Sequence, residues 1–197
     1  MGEADRPGAG QGLWQLRLAQ FRHAVAERAL PGCGAVTAVT ADLAVALIVK
    51  ALRVSAAHAG SDSARAALLA EARSLLGRPG GFADDDVAVF GEYLSTDNDE
   101  ARAHAISRQA CAVPLATAHA CVEALGIAER AWPLVEPSLR CDVEAAVLLL
   151  GSCVDAVLLN VEADMGELEA QARAEVLAAR DRLRQLSTQC RARLGAG

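Results

Sequence analysis

Two stretches of this chain are apolar on almost every face a helix would present, and that pattern limits the fold more than any other feature. The first runs from about Ala35 to Ala56; the second, CDVEAAVLLLGSCVDAVLLNVEADM, runs from Cys141 to Met165. A helix that is apolar all round is surrounded by other helices or by lipid. Asp42 interrupts the first run and Glu144 and Asp155 the second, so neither is expected to provide the ~20 nearly uncharged residues of a membrane span. The expectation is an all-α, up-and-down helical bundle with these two helices at its centre. Composition agrees, because aromatic residues are 3% of the chain, alanine supplies roughly one residue in five and β-branched residues are sparse, a balance that favours helix over strand.

The remaining elements follow from periodicity and punctuation. Trp14, Leu18, Phe21 and Val25 share one helical face, read as a core stripe on a first helix that ends before Pro31. A helix capped by Ser61 or Ser63 is expected to run to Leu76 and stop at GRPGG. Asp84, Asp85 and Asp86 would then open a helix, where negative charge complements the macrodipole, with Val87 to Leu94 following. The turn STDND leads to a helix from Glu100 to Ala112, and Pro114 marks a kink or a fresh start before a helix to Leu125. After the loop RAWPLVEPSLR and the second apolar helix, Leu168, Ala172, Val176, Ala179, Leu183, Leu186 and Cys190 form one stripe of a C-terminal amphipathic helix. At this length one domain is expected, spanning 13–194 behind a Gly-rich N-terminal tail at 1–12.

Several function classes drop out. A net charge of -6 and no concentrated run of basic residues argue against nucleic acid. The six cysteines are scattered, with no Cys-x-x-Cys and no Cys/His pair at zinc spacing, which points to reduced thiols in the cytoplasm and no metal site. No basic-then-apolar signal stretch opens the chain, and a membrane association is not expected. The phosphate-loop, dinucleotide, zinc-protease and nucleophile-elbow motifs are all missing, and His23, His58, His104 and His119 read as ordinary residues.

What remains is an ordered set of short segments. Pro31-Gly32-Cys33-Gly34-Ala35 is a turn that opens the first apolar helix. Asp86-Val87-Ala88-Val89-Phe90 follows, then Ala110 to Leu115, then Cys141-Asp142-Val143-Glu144-Ala145-Ala146, then Asn160-Val161-Glu162-Ala163-Asp164-Met165. In order and spacing these resemble the P-G-G-G-S, D-x-x-A-F, A-x-x-P-L, S-D-x-x-x-A-A and N-V-x-x-N-L segments of the cyclodeaminase domain of formiminotransferase-cyclodeaminase and the related methenyltetrahydrofolate cyclohydrolases. The third is offset by one residue, and the likeness spans about residues 13 to 190. It implies an all-helical homodimer that takes a tetrahydrofolate derivative as substrate. Such an enzyme closes or hydrolyses the C–N bridge of methenyl- or formimino-tetrahydrofolate, with no permanently bound cofactor.

Carried onto this chain, the resemblance makes Asp142 the leading catalytic candidate, with Asp42 a second drawn from its place on the first apolar helix. It makes Gly32, Cys33, Gly34, Asp86, Cys141, Asn160 and Asp164 candidate substrate-binding residues. Asp142 and Asp164 stand ~33 Å apart along one helix, too far to act on one small substrate unless that helix is broken, so they are read as belonging to different ends and to different sites in an oligomer. The departures fall on polar positions. Cys33 and Ala35 replace a glycine and the serine of the turn, Cys141 replaces a serine, Asp164 an asparagine, a Gly-Asn pair has no counterpart near Val135-Glu136, and lysines after the first buried helix are missing. Two alternatives therefore stand beside the folate enzyme: C–N or cyclisation chemistry on a non-folate substrate of specialised metabolism, and a noncatalytic helical dimer. Residue by residue there are plainer roles too. Asp142 and Asp86 suit helix caps, the glycines suit a tight turn, Asn160 and Asp164 suit tethers of a helix end, the cysteines suit small fillers, and Asp42 suits a carboxylate satisfied by Thr or Arg side chains.

Overall fold

The computed structural model describes residues 12–59, 62–95 and 100–195. Most of the expected tail, Ser61 and most of the STDND turn lie outside the described residues. The α-helices are α1 (Leu18–Glu27), α2 (Cys33–Ala59), α3 (Ser63–Leu75), α4 (Arg78–Ser95), α5 (Glu100–Ala131), α6 (Arg140–Asp164) and α7 (Ala170–Gly195), with short 3-10 turns at Leu13–Gln15, Trp132–Leu134, Pro137–Leu139 and Met165–Glu167. Among the described residues there is no strand, and α2 to α7 form one helical bundle.

α2 and α6 are central, as their composition requires, and run antiparallel. Lys50 pairs with Asp142 near one end, and the Cys33 Sγ lies 3.9 Å from the Ala156 carbonyl near the other. Val45, Ile48 and Leu52 of α2 interlock with Val143, Leu150, Val154 and Leu158 of α6. α5 is a third central helix that the sequence reading did not single out. Its Ala118, Ala120, Ala124, Ala128 and Ala131 are wholly buried, small side chains that let the neighbouring helices close in. By length and composition alone Cys33–His58 and Ser107–Leu134 are apolar enough to cross a membrane, which corrects the expectation from Asp42. Much of each is buried inside the bundle, and they act here as core helices.

Four further expectations are corrected. The first-helix stripe is not core in a single chain: Trp14, Leu18 and Val25 are 46%, 78% and 37% exposed, and only Ala24 of α1 is buried. Trp14 belongs instead to the preceding 3-10 turn, where its Nε1 donates to the Gly80 carbonyl at 3.0 Å. α3 stops before GRPGG as expected, at Leu75, but Asp84, Asp85 and Asp86 do not open the next helix, because α4 already begins at Arg78 and holds them in its interior; Pro79 fits a first helical turn, where its missing N–H costs nothing. α3 is capped by Asp62, whose carboxylate accepts from the Ala64 and Arg65 amides. Pro114 neither starts nor ends a helix, since α5 runs through it and packing on its neighbours outweighs the one hydrogen bond a proline removes.

Candidate functional site

Of the expected Gly32 to Gly34 turn only Gly32 precedes α2, handing the chain from Pro31 into a helix whose first residues are Cys33 and Gly34, and the first amides of that helix have no partner within it. Asp86, projecting from α4, supplies one. The Ala35 amide donates to its carboxylate, and burial nonetheless raises the Asp86 pKa above its ordinary value. Gly34 is what permits this approach, because a Cβ at that position would overlap the Asp86 carboxylate. Cys33, beside it, is exposed, with its thiol 3.9 Å from the Thr37 hydroxyl as well as from Ala156.

The last turns of α6 reach the same place. Asn160 is half-buried with no hydrogen bond to a described residue. Asp164, one turn later, is pushed to a raised pKa first by burial and then by the charge of Asp86. The Asp164 charge in turn acts on buried Cys111 of α5, whose thiol is pushed up to about 11, mainly by burial. Arg173 closes the end of α6 by donating to the Met165 and Gly166 carbonyls at 3.0 and 2.8 Å. Of the sequence-derived binding residues, Gly32, Cys33, Gly34, Asp86, Asn160 and Asp164 thus gather around the start of α2.

Asp42 has another place. Its Oδ1 accepts from the Gly77 amide at 2.6 Å, and the Gly80 amide also favours its ionised form. Burial outweighs both, leaving its pKa raised. It is 8% exposed, and its partners are backbone amides rather than the Thr or Arg side chains expected. Gly77 adopts φ +90 to present that amide, a conformation open to glycine. The two aspartates are therefore reciprocal: Asp42 of α2 caps the start of α4, and Asp86 of α4 caps the start of α2. The acidic side chain opposite each helix N-terminus also complements its dipole.

Asp142 and Cys141 are not part of this gathering. α6 is continuous from Arg140 to Asp164, so they sit at its far end. Leu139 is the N-cap there, without a side-chain bond, and Asp142 pairs with Lys50 at 2.9 Å. Cys141 is exposed, with its thiol 3.8 Å from the Ser138 carbonyl. Cys111 and Arg108, which borders it one turn earlier, were missed from sequence. A lone thiol in an Ala-rich run reads as filler and a lone arginine as a solvated face, so neither carries a signal until α5 is laid against α4 and α6.

Fold and site together define an all-helical domain in which two half-buried carboxylates, Asp86 and Asp164, lie close enough for the charge of one to act on the other, beside the glycine-containing start of a helix. The formiminotransferase-cyclodeaminase family model matches residues 17–182, and the chain belongs to that family. The fold is similar to that of formiminotetrahydrofolate cyclodeaminase from Thermotoga maritima, with a TM-score of 0.86 at 19% identity over 92% of this chain and 94% of that one. No curated protein gives a significant match.

Proposed function

We propose that this chain acts on a tetrahydrofolate-bound one-carbon unit, closing or hydrolysing its C–N bridge, at the site formed by Asp86, Asp164, Asn160 and the Gly32 to Gly34 turn. The observation that carries the reading is the carboxylate pair. Two acids of one kind have unequal surroundings, one fixed by a backbone amide and the other burdened by its neighbour's charge, a division suited to base and acid roles. In this reading Asp86, held by the Ala35 amide, orients water toward the electrophilic methenyl carbon and accepts a proton from it. Asp164 gives a proton to the nitrogen that departs when the tetrahedral carbon collapses. In the deaminating direction N10 adds to the carbon of the formimino group in its amidinium form, losing its proton to Asp86, and the amino group so formed takes the proton of Asp164 and departs as ammonia, leaving the methenyl bridge. The free amides of the turn and the Asn160 side chain hold the substrate's polar atoms.

Asp42 is in this reading a positioning residue that fixes α4 and, through it, Asp86. Asp142 enters only from a second copy. The outer face of α2 and α6 leaves Leu43, Leu148, Leu149 and Leu159 at 51%, 69%, 38% and 59% exposure, and the apolar stripe of α1 is uncovered too. A face this apolar fits an interface, and an isologous two-fold that lays these strips antiparallel brings Asp142 and Lys50 of one copy over the turn of the other. Cys141 would arrive with them.

The test is direct: mix the protein with methenyl-tetrahydrofolate and follow the methenyl absorbance. Saturable loss of the chromophore, abolished by Asp86→Asn, supports the proposal. Failure to bind any reduced folate refutes it and leaves a non-folate substrate or a noncatalytic dimer.

A further inference from the structure

Beside the carboxylates, α4 and α5 border a shallow, open groove of about 510 Å³ whose lining includes Phe82 and Asp85 from α4 and Arg108, Gln109, Ala112 and Ala116 from α5. Asp85 directly precedes Asp86, and Arg108 lies one helical turn before Cys111, the thiol that senses Asp164. The groove therefore opens next to the site. Ala112 and Ala116, at i and i+4, give α5 a flat surface there, and the half-buried Phe82 lines the same opening from α4.

Arg108 gives the groove its chemistry. Arg78, Arg130, Arg180 and Arg193 each hold a carboxylate, whereas Arg108 is exposed and makes no hydrogen bond or ion pair with a described residue. It also borders the small cavity beside Leu168, Glu169 and Ala172, just past the end of α6. In a chain of net charge -6 a guanidinium in a concavity without an ion-pair partner among the described residues is a specific feature, and its planar fork matches a carboxylate.

Resting on the folate reading above, we propose that this groove holds the aminobenzoyl-glutamate tail of the reduced folate, with the ring on the alanine surface against Phe82 and a glutamate carboxylate on Arg108. Gln109 and Asp85 are the partners for the carbonyl and N–H of the amide that joins ring to glutamate. The acidic pair Asp85 and Glu169 flanks Arg108 and limits the groove to a ligand that brings both an amide donor and an anion.

Titration calorimetry with tetrahydrofolate and with a tetrahydropterin lacking the tail separates the possibilities. Wild type is expected to bind tetrahydrofolate more tightly, and Arg108→Gln to weaken that binding about tenfold while leaving the tail-less pterin unchanged. Ala112→Leu, which fills the groove without touching the charge, should show the same selectivity. Equal affinity of wild type for the two ligands, or equal weakening of both by the variants, overturns the groove assignment but leaves the folate reading standing. No binding of either ligand refutes the folate reading first.

Discussion

Asp164 stands where the resembling family has asparagine, and one added carboxylate changes the electrostatics of the whole site. Its pKa is raised, so between the ordinary value of 3.8 and the folded value the native state holds a proton that the unfolded chain has lost. That contribution to stability is complete below 3.8 and disappears as pH rises through the folded value. Asp164→Asn removes this dependence. The variant is expected to melt higher than wild type at pH 7, with the advantage shrinking as the pH falls toward 3.8; a constant difference across that range would mean Asp164 carries no shifted proton. Under the proposed mechanism the same substitution lowers turnover and removes the alkaline limb of the rate profile. Gly34 makes the complementary point. Gly34→Ala drives a methyl into the Asp86 carboxylate, expected to cost about 1–3 kcal/mol in urea unfolding, and Gly34→Ala with Asp86→Ala should recover part of that loss.

At the scale of elements, the reciprocal caps decide where helices begin. α4 opens with Arg-Pro-Gly-Gly, a segment that sequence rules read as a stop. It is helical because Asp42, distant in sequence, supplies the acceptor that its first amides lack, and because Pro79 needs none. Asp42→Ala should therefore loosen α4 first. Hydrogen exchange is expected to accelerate at the amides of residues 77 to 82 before α6 is affected, with a global loss of about 1–2 kcal/mol. Uniform acceleration across the bundle would argue against a local cap. α5 carries the same lesson in a different form: Pro114 breaks one hydrogen bond, while the buried alanines on the same helix help hold it against five neighbouring helices.

At the scale of the molecule, a single chain leaves apolar surface that its sequence codes as buried, on α1 and along the outer face of α2 and α6. The proposed homodimer covers it, and Leu43→Glu with Leu149→Glu is expected to convert the protein to a monomer by light scattering. A wild type that is already monomeric would remove this reading and with it the route for Asp142. If the two-fold completes the site, mixing Asp142→Asn with Asp86→Asn should restore about a quarter of wild-type activity, because half the dimers are hybrids with one intact site each. What the sequence by itself determined is the all-helical class, the two apolar central helices, the α6 and α7 spans and the family pattern around the glycine turn. These rest on periodicity and local turn chemistry, which a linear chain displays. Which residues meet was decided by tertiary structure alone. Asp42 reads as an anomaly until α4 lies beside it, Asp86 as a cap of its own helix until it reaches that of α2, and Arg108 as a solvated charge until α4 makes a groove. A carboxylate's role depends on the donors and charges brought to it through space, and antiparallel packing of α2 on α4 and α6 is what brings them.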